Sequence, residues 1–348
     1  MNDKILVTGG TGYIGSHTVV ELQLAGYDVV IVDNLSNSNI EVLSGIEKIT
    51  GIRPDFENLD CLDYLGLDRM FSKYEGIKAI IHFAAYKAVN ESIQKPIFYY
   101  RNNISSLMNL LDLMPIHNVQ HIVFSSSCTV YGQPDNLPVD EDATIKPALS
   151  PYGNTKQISE EIIRDVIHSG SNLKSIILRY FNPIGAHPSA EIGEYPIGVP
   201  NNLVPFITQT AIGLRKELMV FGDDYNTPDG SCVRDFINVV DLAKAHVVAV
   251  KRMIEGISNN NLEYFNIGTG KGFSVLDLIN TFEEVNGVKV PHQIVGRREG
   301  DIEKVWANPD KANTVLGWKS METVENTLKS AWEWERKLEL KRIAESEK

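Results

Sequence analysis

Apolar positions near the start of the chain fall into runs of two kinds. "KILVTGG" (Lys4–Gly10) is a short, continuously apolar, β-type run that ends in glycines. "YIGSHTVVELQLAG" (Tyr13–Gly26) then spaces its apolar residues as a helix does and stops at a glycine. "YDVVIVDNL" (Tyr27–Leu35) is a second strand of the fully buried kind. The same reading predicts strands at Pro54–Leu59, Ala79–Phe83, His121–Ser125 and Ser175–Tyr180. Helical patterns separate most of them, notably around Tyr64–Tyr74 and Pro96–Met114. Strands alternating with helices imply an α/β fold, a parallel sheet with helices on both faces. Such a sheet binds ligands at the carboxyl ends of its strands.

Past "RYFNPIGAHPSAEIGEYPIGVPNN" (Arg179–Asn202) the alternation becomes irregular and rich in Pro, Gly and Asn, which marks a change of domain. Residues 1–182 are read as the first domain and 183–348 mainly as a smaller mixed α/β one, with part of 235–268 packing back onto the first. Helix-like stretches continue at Leu203–Leu214, Val239–Ile254, Ser274–Val285 and Thr323–Arg342. The tail "ERKLELKRIAESEK" reads as a solvated charged helix face.

Composition narrows the partners. In 348 residues, 43% are apolar and 22% charged, as in an ordinary soluble globular protein. The formal charge of −12 opposes binding to nucleic acid or to an anionic membrane, though not to a small anion in a basic pocket. Three distant cysteines, Cys61, Cys128 and Cys232, suit a reducing compartment and have no metal spacing. "MNDKILVTGG" has no signal-peptide apolar region, and no apolar run approaches bilayer length. A cytoplasmic location is expected.

The glycine turn "VTGGTGYIGSH" carries Gly9, Gly10, Gly12 and Gly15 between a strand and a helix. Glycines there allow a tight turn and bring backbone N–H groups against a pyrophosphate at the helix N-terminus, where the dipole favours anions. Asp33 ends the second strand, where a carboxylate accepts hydrogen bonds from an adenosine ribose and repels a 2′-phosphate. The pair points to NAD on a Rossmann-type, doubly wound sheet.

In "SPYGNTK", Tyr152 and Lys156 are four apart behind a helix-starting proline, hence neighbours on one helix face. A nearby cation stabilises phenolate and lowers its pKa from about 10, and an oxidised nicotinamide would lower it further. Upstream, "IVFSSSCTVYG" ends a strand with three serines able to hydrogen-bond a substrate oxygen. Alone, most Tyr/Lys pairs at this spacing merely stack a lysine stem on a ring. The dinucleotide turn and the serines give this pair something to act on.

These motifs resemble the extended short-chain dehydrogenase/reductase superfamily. More narrowly, "IHFAAYKAVNESIQKP", "FSSSCTVYG", "LRYFNPIGAHPS", "PNNLVPF", "VRDFINVVDLA" and "GRREGDIEKVWA" resemble the UDP-glucose 4-epimerases, in segments reaching to about Gly317. The resemblance implies a tightly bound NAD regenerated at each turnover, a UDP-sugar substrate and a homodimer packed through Pro96–Met114 and Ser150–His168. It implies Tyr152, Lys156 and Ser127 as catalytic residues. It implies NAD contacts from Gly9, Gly12, Tyr13, Ile14, Gly15, Asp33, Asn34, Asp60, Cys61, Phe83, Ala84, Lys87, Asn102, Tyr152, Lys156 and Tyr180. Substrate contacts are implied for Lys87, Ser127, Asn182, Asn202, Leu203, Phe221, Arg234, Arg298, Asp301 and Val305, with no metal. Two arginines suit a diphosphate, since their fork geometry matches phosphate oxygens.

The sequence departs from the family at Cys128, at Phe236 and, with most consequence, at Val305. Epimerases restricted to UDP-glucose and UDP-galactose resemble one another in a bulky tyrosine at that last position. Valine implies room for 2-acetamido sugars, unless another side chain fills the gap. A nucleotide-sugar 4,6-dehydratase is the nearest rival, but those enzymes carry Asp-Glu where this chain has Cys128 and Thr129. A dehydrogenase that releases its cofactor and a non-catalytic dinucleotide-sensing protein are the others; the latter typically lack the Tyr or the Lys.

Overall fold

The computed structural model describes residues 2–258, 260–298 and 301–346. Six strands of the central sheet come from the first half: β1 (Lys4–Thr8), β2 (Asp28–Asp33), β3 (Asp55–Asn58), β4 (Ile77–His82), β5 (His121–Ser127) and β6 (Lys174–Tyr180). Between them run α1 (Tyr13–Leu24), α2 (Val42–Thr50), α3 (Tyr64–Lys73), α4 (Val89–Gln94), α5 (Pro96–Ile116) and α6 (Pro151–His168). All pairings in this sheet are parallel, in the order β6-β5-β4-β1-β2-β3. Strand order therefore reverses between β1 and β4, and the crevice at their carboxyl ends is where such folds bind ligands.

The second half supplies β7 (Asn182–Ile184), α7 (Leu203–Ala211), β8 (Leu218–Phe221), β9 (Val233–Arg234), β10 (Phe236–Asn238), α8 (Val239–Ile254) and β11 (Leu262–Ile267). β11 returns to the large sheet as its seventh strand, pairing with β6 from Leu262 opposite Ser175 to Ile267 opposite Tyr180. After it come β12 (Phe273–Ser274), α9 (Val275–Asn286), β13 (His292–Val295), β14 (Lys304–Val305) and α10 (Val324–Ser346). β8 pairs with β13, and β9 lies between β12 and β14.

The inner strands of the main sheet carry continuous apolar runs because both faces are covered, whereas the edge strand β3, "DFEN", is largely polar and not buried. Ile5, Val7, Ile31 and Ile81 join a core with Val20 of α1, Leu43 of α2 and Leu242 of α8. Their neighbours Leu6, Val30, Val32 and Ile80 join the opposite core with Leu67 of α3, Leu110 of α5 and Ile163 of α6. A third core holds Ile207 of α7, Phe282 of α9 and Leu328 of α10.

Two helices escape the sequence reading. α4 spans only six residues, too few for a 3.6-residue period to show. In α2 the apolar spacing of Leu43, Ile46 and Ile49 is present but interrupted by Gly45. α7 stops at Ala211, short of the expected Leu214, and α10 continues beyond the expected Arg342. Among the described residues no helix is long and apolar enough to cross a membrane, and no cluster of potential metal ligands occurs.

Candidate active site

One large cavity, about 760 Å³, opens over the carboxyl ends of β1, β2 and β4. The glycine turn forms its floor. Gly9 adopts φ 72°, and a side chain there would meet the backbone of Ala84 at 2.8 Å. Gly15 lies so close to the turn that a Cβ would sit 2.2 Å from the Gly9 carbonyl oxygen. Gly12 begins α1 with no side-chain cap, so the first N–H groups of that helix remain available to an anion. Gly9, Gly12, Tyr13, Ile14 and Gly15 all face the cavity.

At the next strand end, the Asp33 carboxylate accepts hydrogen bonds from the N–H groups of Thr11 (3.2 Å) and Leu35 (2.9 Å) and the hydroxyl of Ser38 (3.3 Å). Asn34 donates to Asp60 at 2.9 Å, and burial pushes the Cys61 thiol well up. Phe83, Ala84, Lys87, Asn102 and Tyr180 also line the cavity. Turn, strand-end acid and flanking residues fit a dinucleotide: a phosphate-sized gap without side chains at a helix start, and a fixed carboxylate beyond it.

α6 begins at Ser150, whose hydroxyl accepts the Gly153 N–H at 3.2 Å, with Pro151 in the first turn. That start aims Tyr152 and Lys156 at the cavity. β5 meets them with consecutive serines. The Ser125 carbonyl accepts the Lys156 ammonium at 2.7 Å, and the Ser127 hydroxyl lies near the phenol of Tyr152. The Tyr180 and Ser125 hydroxyls share a bond of 2.8 Å.

The electrostatics differ from the expectation that Lys156 acidifies Tyr152. Burial, followed by the nearby Tyr180, pushes the phenol far above its usual 10, and the neighbouring Ser127 hydroxyl works against this. Burial also pulls the Lys156 ammonium down to about 8, with Glu160 opposing the fall. The physical reason is desolvation: Tyr152 and Lys156 are 7% and 4% exposed, and the ammonium is turned to a carbonyl and to the face of the Phe124 ring, 4.8 Å away.

The expected sugar-nucleotide residues divide. Asn202 lines the cavity and donates to Glu194 at 2.6 Å, while the Lys87 ammonium lies 3.5 Å from the same carboxylate. Leu203 follows as the first residue of α7. Asn182 is held in β7 by its N–H bond to the Asp235 carbonyl, 2.9 Å. Phe221, Arg298 and Asp301 form a separate group: the guanidinium lies 5.3 Å from the ring and clamps the carboxylate at 2.6 Å. Arg234 pairs in register with Val305, and its charge reaches the thiol of Cys128, beside Ser127. These last residues do not line the large cavity. Val305 is 3% exposed, packed with Val130, Tyr131, Val139, Phe181 and Ala307 and flanked by Cys128. β14 thus turns Val305 into a small apolar cluster rather than toward the large cavity.

Sequence reasoning missed Glu194 and the end of α10. Trp334, Lys337, Leu338, Leu340 and Lys341 line the cavity, and Lys337 pairs with Glu191 at 2.6 Å. One stretch of the charged tail, Lys337 to Lys341, therefore borders the cavity, while Arg336 and Ile343 to Glu345 are exposed as expected. Leu338 and Leu340, set among its charges, were the available signal.

A family model described as GDP-mannose 4,6 dehydratase matches residues 6–331. The "UDP-glucose 4-epimerase" of Dictyostelium discoideum is 48% identical over 335 residues, 96% of this chain and 96% of that one. The chain belongs to the UDP-glucose 4-epimerase family. The crystal structure of the epimerase from Stenotrophomonas maltophila, with bound NAD and formylated UDP-arabinopyranose, superposes with a TM-score of 0.93 at 46% identity, covering 97% and 99% of the two chains. That of the Bifidobacterium longum epimerase, in complex with NAD+ and UDP, gives 0.92 at 45%, covering 96% and 98%. Family membership also accounts for the strand-end serines and the Tyr/Lys pair occurring together with the glycine turn.

Proposed function

We propose that this protein interconverts UDP-glucose and UDP-galactose by inverting C4′ of the sugar, with NAD held in the cavity throughout turnover. The observation that carries the reading is that Tyr152, Lys156 and the open start of α1 face one cavity, with Ser127 beside the phenol. The glycine turn and Asp33 would hold the dinucleotide, on residues 1–182, while 183–348 mainly hold the sugar nucleotide. The chemistry a bound NAD supplies is reversible hydride exchange with C4′. Tyr152 takes the 4′-hydroxyl proton as that carbon is oxidised and returns it when the sugar is reduced on its other face. Ser127 bonds the same oxygen, and Lys156 holds the phenolate and the nicotinamide ribose. Arg234 and Arg298 retain the diphosphate while the 4-keto sugar turns about it, Asp301 accepts from the uridine ribose, and Phe221 lies against uracil. Burial of Tyr152 keeps water away from the ketone.

The protein also takes UDP-GlcNAc and UDP-GalNAc, because valine at 305 has less bulk than a tyrosine and its neighbours can repack around an acetamido group. α5 and α6 form a homodimer interface, to which exposed Ile97 and Phe98 contribute. The dehydratase reading lacks the added acid pair, since Cys128 and Thr129 follow Ser127. Incubation with UDP-galactose and UDP-GalNAc without added NAD, with chromatography of the products, tests the assignment. Conversion to the 4-epimers supports it; a 4-keto-6-deoxy product installs the dehydratase, and no conversion of either substrate defeats the reading. Val305→Tyr should abolish conversion of the acetamido sugar and spare that of UDP-galactose.

A further inference from the structure

Directly behind the Tyr152/Lys156 pair lies a buried ion pair that the proposed chemistry does not use. Glu160 follows Lys156 by one helical turn, so Tyr152, Lys156 and Glu160 share one face of α6. The Glu160 carboxylate is gripped by Arg179 of β6 through two bonds, Nε at 3.1 Å and Nη2 at 2.6 Å. The two side chains are only 7% and 6% exposed. The Ser126 hydroxyl adds a third bond to the carboxylate at 2.5 Å. Consecutive serines of β5 thus engage consecutive turns of α6: Ser127 with Tyr152, the Ser125 carbonyl with Lys156, Ser126 with Glu160. Arg179 is fixed in turn by the Tyr131 hydroxyl, which accepts from it at 3.1 Å and donates to Asn266 at 2.6 Å.

We infer that Glu160 is a positioning residue for the epimerisation: held by Arg179 and Ser126, it keeps the Lys156 side chain charged and aligned behind Tyr152. The inference rests on the proposed function for its catalytic consequence. Its physical basis is the poverty of other counter-charges. Lys156 is in a dry site, where burial disfavours its proton; Glu160, one turn on along the same helix face, opposes this. Other ionisable groups facing the region offer no free negative charge. Burial holds His82 of β4 neutral, at about 3. Burial likewise raises Tyr180, Cys128 and Tyr131 to about 12, and raises Tyr99 of α5. Glu91 of α4 is engaged by Lys95 and Tyr99. A buried ion pair seldom adds net stability over an apolar pair. A charge-holding role for this one is therefore separable by experiment from a structural one.

Glu160→Gln preserves shape and acceptor and deletes the charge. The expected result is that the alkaline limb of the kcat profile moves down by about one pH unit. Above that limb kcat should fall roughly tenfold for a one-unit shift, with KM for the UDP-sugar little changed. Glu160→Asp, which keeps the charge, should retain most of the wild-type limb. The double variant Glu160→Gln/Arg179→Met removes the unpaired guanidinium. It should recover thermal stability yet keep the shifted limb. A wild-type limb in Glu160→Gln, or full recovery of the limb in the double variant, overturns the inference. A second readout is independent of turnover: the pH dependence of Lys156 acetylation by acetic anhydride, followed by peptide mass spectrometry, should move down in Glu160→Gln. If the wild type converts no UDP-sugar but this titration still moves, the proposed function falls and the coupling of Glu160 to Lys156 stands. If conversion is normal and neither limb nor titration moves, the coupling falls and the function stands.

Discussion

Gly15 offers the sharpest test of the phosphate cradle. An alanine Cβ at this position would lie 2.2 Å from the Gly9 carbonyl oxygen and 2.9 Å from the Gly10 Cα, whereas ordinary contact begins at 3.4 Å. The obstacles are backbone atoms, so no side-chain rotation can relieve the overlap; the first turn of α1 must move from the glycine turn by more than an ångström. Overpacking of this kind costs about 1–3 kcal/mol. Most of it falls on the arrangement of N–H groups that receives the pyrophosphate, so dinucleotide affinity should drop roughly 10- to 100-fold at about 1.4 kcal/mol per decade. Gly12→Ala is the internal comparison: its Cβ meets a single atom, the Gly9 carbonyl oxygen, at 3.2 Å. It should lose less than tenfold. The assay is the fraction of NAD retained after purification, read by absorbance of the released cofactor, followed by calorimetric titration of NAD+ into the stripped protein. Circular dichroism must show the variants folded. Retention of NAD at the wild-type level by folded Gly15→Ala, or a larger loss for Gly12→Ala, would refute the argument that the close approach of turn and helix forms the cradle.

Tyr152→Phe should reduce kcat by about 10²–10⁴ while leaving bound NAD in place, since the ring still packs and only the proton-transferring hydroxyl is lost; steady-state kinetics with cofactor quantitation checks both halves. Arg298→Ala should raise KM for the UDP-sugar at least tenfold with a small effect on kcat, because the guanidinium would act on a diphosphate remote from the reacting carbon. Stability of the cofactor-free protein should rise as pH increases from about 8 toward 10.5. Over that window folded Lys156, pulled to about 8 mainly by burial, has released its proton while the unfolded chain, at 10.5, still holds one. The unfolded state then binds more protons, the condition for stability to rise with pH. Urea melts at pH 7.5 and 9.5 should show this rise in the wild type and lose it in Lys156→Met.

Much of the main sheet was legible because its inner strands are buried on both faces and hold continuous apolar runs, as within "KILVT" and "DVVIVD"; the edge strand β3, "DFEN", has no such run. The glycine turn was legible because backbone approach leaves a mark at single positions: Gly9 and Gly15 tolerate no Cβ. Tyr152 and Lys156 were visible through helical spacing, but their electrostatics were not. Spacing places an ammonium near a phenol without revealing that both are nearly dry or that the ammonium is turned to the Ser125 carbonyl. Likewise Glu194, which holds Lys87 and Asn202, follows from how the loop before α7 folds back over the cavity, and no local pattern encodes that. Val305, packed among Val130, Tyr131 and Phe181, makes the same point. Residue size can be read from sequence, whereas the identity of the groups that fill the remaining space cannot.

The site's electrostatics bear on how an epimerase would keep its cofactor from idle chemistry. The protein alone makes Tyr152 a poor base, since burial favours the neutral phenol. It also weakens the neighbouring cation, since burial pulls Lys156 down to about 8. A phenolate here needs a further positive charge, and the oxidised nicotinamide ring is the group that the proposed function brings to this cavity. Base strength would then follow the cofactor's redox state. Tyr152 would be acidified when a hydride can be accepted, and would revert to a proton donor once the ring had lost its charge and the 4-ketone had to be reduced. In this scheme Lys156 and Glu160 set the level about which the phenol swings, and the cofactor drives the swing. Spectrophotometric titration of phenolate in the NAD+-loaded and NADH-loaded protein, with Tyr152→Phe as blank, should give a Tyr152 pKa lower by a unit or more in the NAD+ form. Equal values in the two forms would break the link between redox state and base strength.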